Sequence, residues 1–393
     1  MFVNTMKHLA FILTLLCGNA SAADTNVLVL EGSETNFLRD ALKRIECPFV
    51  SILKLEASAL TPDRILILSG KEPPLSGGAE KLIEAFLQKG GNVLALGGGA
   101  KWMLDAKLFD ASGYYPTGST IHQSTFEGYH PVTFGYPMET PYKNWSVGVP
   151  MLLRATDGPL MRTGPRAVSI LSAGGPFSLA AFQRIGKGIA LLIGADPQGG
   201  HEFLSLEKPT LTLGDELKTD LLLANSVAWL REQGCNLIPN SGFEENAESG
   251  SDKSHWEIVL RNNAKSQWQR KGAPEGNVFL ELEGTKANSS AAVSTFRPIV
   301  VGGETEVTFS FRHKGTGAWK WEVAFLPSAS DDARPSSKQQ PIPVAGSSTW
   351  KKEETSLRIS ANAPYITLTA RFDGIGSLSL DEITLKRASR EVR

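Results

Sequence analysis

The residues best equipped for chemistry in this chain fall into three groups. Trp268, Trp319 and Trp321 offer flat aromatic faces, and Gln267, Gln269, Arg312 and Arg371 are polar side chains on nearby alternating runs. Stacking of an aromatic ring on the apolar face of a pyranose, flanked by side chains that bond its hydroxyls, is the chemistry of sugar recognition. Trp319 and Trp321 are two apart and share one face of a strand, while Lys320 and Glu322 take the other. That face is either a binding face or the core. A second group, Glu31, His122, Glu127, His130, Asp196, His201 and Glu202, lies near the ends of apolar runs. The carboxyl ends of strands are where open α/β sheets bind ligands. Two carboxylates there, ~5–9 Å apart, would suit glycoside hydrolysis. A metal would need three or four of these groups to converge, and the sequence has no HxH or HExxH pair. The third group is Gly97-Gly98-Gly99, which lacks the GxGxxG spacing and the P-loop lysine of nucleotide sites and reads as a tight turn with close packing.

The elements that must position these residues differ between the two halves of the chain. In residues 26–233, the runs Val27–Leu30, Ile65–Leu68 and Val93–Leu96 are short and apolar throughout, and Val50–Leu55 is broken only by Ser51 and Lys54. Between them, Phe37, Leu38, Ala41, Leu42 and Ile45, then Leu82, Ile83, Ala85, Phe86 and Leu87, recur at helical spacing. Strands apolar on both faces that alternate with helices predict an α/β domain: a flavodoxin-like, mostly parallel sheet with helices on each side. Residues 114–150 read as an irregular insertion. Ala167–Leu171, Phe177–Arg184 and Ile189–Ile193 follow, the last two joined by Gly186-Lys187-Gly188 as a hairpin, and a final helix runs through Leu217 to Leu230.

Four passages in this order, Arg64–Gly70, Phe86–Val93, Tyr129-His130-Pro131-Val132 and Gly186–Gly194, resemble the class I glutamine amidotransferase-like superfamily, in particular its trehalose-utilisation-like members. The resemblance implies a nucleophilic Cys on a sharp strand-to-helix turn, where the helix N-terminus activates the thiolate. In this chain the matching stretch is Leu96–Ala100, which puts Gly98 at the nucleophile's position. Amidotransferase chemistry by that route is thereby excluded, and His201-Glu202 is left as a displaced remnant of the partner motif with nothing to activate. The first and last helices of such a sheet share a face and run parallel. Cys47 follows one and Cys235 the other, so a Cys47–Cys235 disulfide is expected, with two buried thiols as the alternative.

After Leu230 the texture changes to short alternating strands with Gly, Ser, Asn and Pro turns, which predicts an all-β jelly-roll sandwich over residues 235–387. The opening Asn236–Glu245 with Trp256, the close Ser377–Leu385, and Trp350 ahead of a strand resemble carbohydrate-binding modules of the CenC type. The resemblance implies a structural Ca²⁺ held by Glu244 and Asp381 with the Gly242 carbonyl; alternatively the two acids pair with nearby cations or backbone N–H groups. It also implies core positions for Trp256 and Trp350. Residues 328–346, rich in Ser, Pro, Asp and Lys, read as an exposed loop.

Composition narrows the partners. Lys and Arg total 40 against 41 Asp and Glu, with no basic stripe, which excludes an electrostatic footprint for nucleic acid. Lys7, the apolar run Leu9–Leu16 and Ala20-Ser21-Ala22 read as a signal peptide over residues 1–22, too short to span a bilayer, so the mature chain is expected to be exported. Three functions follow: a non-catalytic carbohydrate-binding protein with the α/β domain as scaffold or protein contact, a carbohydrate-active hydrolase using the polar crevice residues, or an oligomer assembly protein.

Overall fold

The structure is a computed structural model that describes residues 26–32, 35–70, 73–115, 120–134, 151–155, 158–195, 215–232, 235–244, 255–274, 276–303, 305–317, 319–329 and 340–387. The expected signal peptide lies outside them. Strands dominate, and no described helix is long and apolar enough to cross a membrane.

The apolar runs become β1 (Val27–Leu30), β2 (Val50–Ile52), β3 (Ile65–Leu68) and β4 (Asn92–Leu96), with β5 (Ala111–Tyr114), β6 (Thr120–Phe126), β7 (Met151–Ala155), β8 (Leu160–Thr163), β9 (Ala167–Ser172), β10 (Ser178–Ile185) and β11 (Gly188–Ile193) after them. Four helices are described: α1 (Asn36–Arg44), α2 (Ala79–Lys89), α3 (Gly98–Asp105) and α4 (Asp215–Arg231). Strands β2, β1, β3, β4 and β11 lie side by side in that order and all pair in parallel. Every residue of β1, β3, β4 and β11 is buried, as covering both faces of a parallel sheet requires. Helix α2 ends at Gly90, whose left-handed φ of 113° lets its N–H reach the Leu87 carbonyl. The buried Asn92 locks three elements together: its Nδ2 donates to Leu230 O on α4 at 2.8 Å, and its Oδ1 accepts from Ile189 N on β11 at 3.0 Å. Helices α1 and α4 pack against each other.

The sequence suggests one boundary near residue 234, but the compact units interleave. One comprises Met1–His122, Leu152–Met161 and Phe182–Glu232, the other Gln123–Met151, Arg162–Ala181 and Gln233–Arg393. The chain passes between them within β6, β7, β8 and β10. The region expected to be an irregular insertion holds β6, which pairs antiparallel with β9 through Thr125↔Ser172 and Phe126↔Leu171. Just beyond it, Tyr129 N donates to Pro298 O and Val300 N to Tyr129 O, each at 2.8 Å, stitching this segment into the second unit.

The rest of the second unit is a sandwich. One sheet runs β12 (Trp256–Arg261), β15 (Ser290–Thr295), β21 (Tyr365–Asp373), β18 (Trp319–Leu326), β19 (Gln340–Val344), with β16 (Ile299–Val300) also on β21. The other runs β13 (Lys265–Gln269), β14 (Phe279–Gly284), β22 (Gly376–Arg387), β17 (Thr305–Thr316), β20 (Ser347–Ile359). Alternation on β17 sends Val307, Phe309, Phe311 and His313 inward, all at 0–1% exposure. Strand β19 corrects the expected loop at 328–346: Pro341 and Pro343 are tolerated because β19 is an edge strand, bonded among the described residues to β18 alone.

Candidate functional site

The structure does not gather the acid–base candidates. In the first unit, Glu31 is held below the usual carboxylate range by a hydrogen bond from Ser51 and by Arg39, whose Nη1 lies 2.7 Å away. A carboxylate so engaged is a poor base. In the second unit, His130 is fully buried, and its Nδ1 accepts from Val132 N at 3.3 Å, capping the turn Pro131–Thr133. Burial, with Arg387 adding, pushes its imidazole well below the ordinary value, so it is a neutral structural cap. Glu127 is half-buried, and burial raises its carboxyl against hydrogen bonds from Ser172 and Ser169. Asp196, His201, Glu202 and the side chain of His122 lie outside the described residues. Among the described residues no three His, Cys, Asp or Glu side chains form a metal-binding group.

At the end of β4 the chain makes a sharp turn into α3. The strained residue there is Gly97, at φ 48°, ψ −115°, and not Gly98, which is the first residue of the helix. Glycine alone adopts that backbone readily. The turn is also tightly packed: a Cβ on Gly99 would sit 2.3 Å from Leu68 O, and one on Gly158 would sit 2.1 Å from Gly194 O and 3.1 Å from the Cα of Gly97. The turn itself is built of glycines and carries no side chain.

The structure decides between the two faces open to Trp319 and Trp321. Trp319 and Trp321 are 5% and 0% exposed. Trp321 meets Phe309 edge-on at 5.1 Å across the two sheets, and Trp319 meets Phe311 at 5.6 Å. They are core, so neither can stack on a sugar. Arg371 is on the other sheet from Arg312, bonded to Glu322 at 3.4 Å. Trp268 is half-buried against Phe243, 5.4 Å away. Trp256 is buried as expected, but Trp350 is not: half-exposed, it donates its Nε1 to Gly272 O at 2.9 Å and meets Phe279 edge-on at 5.3 Å.

What the structure does assemble is the outer face of the sheet β13-β14-β22-β17-β20. Register puts Gln267, Glu281, Ser379 and Lys314 in one row across four strands. A second row holds Asp381, Arg312 and Lys352. Gln267 and Gln269 both donate Nε2 to the same oxygen of Glu281, at 2.8 and 2.7 Å. Arg312 pairs with Glu382, which an irregularity in β22 near Asp381 turns outward. This face therefore carries fixed donors and acceptors of balanced charge beside the rings of Trp350 and Phe279. Gln267, Gln269 and Arg312 were legible as polar residues on alternating strands; Glu281, Glu382 and Trp350 were missed, and the acids opposite the glutamines were the available signal.

The two acids named for calcium lie on either side of one glycine, and each accepts from backbone N–H groups, as the alternative reading expects. A Cβ on Gly242 would lie 3.7 Å from Asp381 Oδ1 and 3.9 Å from Glu244 Oε1, so the two carboxylates flank the same glycine. Asp381 is fully buried and accepts from Glu382 N at 2.7 Å; Glu244 Oε1 accepts from Asn277 N and Val278 N at 2.8 and 3.1 Å. By contrast the expected Cys47–Cys235 disulfide is not formed. Both residues are half-buried thiols, and the Cys47 Sγ lies instead 3.8 Å from Pro48 O and 3.9 Å from Arg231 Nη2.

No family model matches the sequence, and no curated protein matches it. Among solved structures the neighbours are largely carbohydrate-binding modules. The module TmCBM61, in complex with β-1,4-galactotriose, is 17% identical over 39% of this chain and 99% of its own, with a TM-score of 0.29. A xylan-binding domain from Paenibacillus barcinonensis is 17% identical over 40% and 97%, with a TM-score of 0.27. The enzymatically active domain of bacteriophage CBA120 tailspike protein 4 is 9% identical over 39% of this chain and 21% of its own, with a TM-score of 0.34.

Proposed function

We propose that this chain is an exported carbohydrate-binding protein whose sandwich holds a neutral glycan on the outer face of β13-β14-β22-β17-β20. The observation that carries the reading is the fan of Gln267, Gln269 and Glu281 beside the Arg312–Glu382 pair and the half-exposed Trp350. Side chains held by one another lose little entropy on binding, and acceptors left over on the two amides and on Glu281 suit hydroxyl donors. The balanced charge of the face favours an uncharged sugar. A Ca²⁺ at Gly242, held by Asp381 and Glu244 with backbone oxygens completing its shell, would stiffen the end of β22 that carries Glu382.

In this reading the first unit is a flavodoxin-like, amidotransferase-type scaffold that has kept the elbow and lost the nucleophile, its sharp backbone at Gly97 supporting the idea. The test is calorimetric titration of the full mature chain with neutral gluco-, galacto- and xylo-oligosaccharides, beside Arg312→Ala and Glu281→Ala variants. Saturable binding that falls about tenfold or more in the variants supports the reading. Binding unchanged by either variant moves the site elsewhere, and hydrolysis of any of the sugars would favour the hydrolase reading.

A further inference from the structure

Directly behind the proposed binding face lies a histidine that the sandwich leaves unsatisfied. His313 follows Arg312 on β17 and so points inward, where it is 0% exposed. Its ring lies 5.9 Å from Phe311 and 5.3 Å from Trp319, and neither ring nitrogen makes a hydrogen bond of normal length, Glu353 Oε1 standing 3.8 Å from Nε2. The indole N–H groups of Trp319 and Trp321 are equally without partners. A buried polar ring left unbonded is costly, and the cost rises steeply once the ring is charged.

The groups facing this ring are few. From β20 comes Glu353, whose Oε1 is 3.8 Å from His313 Nε2, with Lys351 paired to the same oxygen. On β22 its register partner is Leu380, and on β18 its neighbour is Trp319, neither charged. Arg312 and Lys314 on its own strand take the opposite face. Burial lowers the imidazole, with Lys351 acting in the same sense and Glu353 against it. Strand β20 is thus an edge strand that covers His313 with Lys351 and Glu353 on one side and presents Trp350 on the other.

We propose that His313 is a proton-sensitive latch for the outer face: neutral, it lets β20 close on the aromatic core and hold Trp350 in place; protonated, it loosens β20 and releases the glycan. This rests on the glycan reading. A ligand that prefers the closed form must lose affinity when a proton prefers the open one, and the coupling is reciprocal. The sign follows from the lowered imidazole: affinity is full above about pH 6.5 and falls as the pH drops below it.

The test uses the full chain, its tryptophan fluorescence and its affinity for the tightest-binding oligosaccharide of the panel, each followed from about pH 7.5 to about pH 5. The native chain should show a fluorescence transition and an affinity loss of about tenfold, and His313→Phe should lose the transition and vary less than about twofold. Glu353→Gln, which keeps the side chain's size and removes its charge, should move the transition to lower pH, because Glu353 favours the charged ring. An unchanged profile in both variants overturns the latch. Should no sugar bind at any pH, the glycan reading falls on its own, and the fluorescence transition still decides: lost in His313→Phe it supports the latch, retained it overturns it.

Discussion

The elbow at Gly97 and the outer face around Arg312 are opposites. At the elbow the backbone is strained and closely packed, with Gly99 against Leu68 O and Gly158 against Gly194 O, yet no side chain is there to act. On the outer face the strand pairing shifts register between Ser310 and Arg312 and between His313 and Gly315, while the side chains are fixed by Glu281 and Glu382. A sharp backbone turn can thus be held by the packing around it with no side chain taking part. A binding face asks only for alternation and a few mutually bonded side chains, so it can arise on any solvated sheet.

The sharpest way to break this comparison is through the core that supports the outer face. Trp321→Ala should cost about 3–5 kcal/mol, seen as a large drop in the denaturation midpoint of the sandwich. A small effect would mean that Trp321 is not the core element described. At the elbow, Gly99→Ala forces a Cβ into Leu68 O and should cost about 1–3 kcal/mol by chemical denaturation, whereas the same change at Gly77, where a Cβ would meet nothing within 4 Å, should be nearly neutral. On the outer face, Arg312→Ala should reduce sugar affinity about tenfold while moving stability by less than about 1 kcal/mol, since the pair with Glu382 is partly solvated. Equal losses of affinity and stability would make that pair structural. Chelation with EDTA should lower the melting temperature by a few degrees if Ca²⁺ bridges Asp381 and Glu244, roughly what about 1 kcal/mol produces. Smallest of all, Glu127→Gln should stabilise slightly at neutral pH. Burial raises the Glu127 carboxyl, so its contribution is complete below the unfolded carboxylate range and lost as pH rises; Gln removes that loss, and the gain should vanish near about pH 4.

Much of the architecture was legible because the signals were local. Val27–Leu30 and Ile65–Leu68 are apolar at every position, which announces a strand covered on both faces. The site was legible only in part. Alternation told that Trp319 and Trp321 share a face but not which face, since that depends on Phe309 and Phe311 in the opposite sheet. Trp350 was misplaced because its exposure is set by a bond to Gly272, far away in sequence. That the left-handed backbone falls on Gly97 is written in dihedral angles that a run of three glycines cannot distinguish. His313 looked like one more residue on an alternating strand, and only the closed core made its burial visible.

Four strands carry the chain from one compact unit to the other, so neither unit is a contiguous stretch of sequence. For inheritance this means that the sandwich cannot be exchanged as a cassette. A single crossover near residue 234 would deliver the later strands without Tyr129, which pairs with Pro298 and Val300, and without Ser169, whose carbonyl accepts from Tyr365. Such a chain must pass on its two units together or lose part of both.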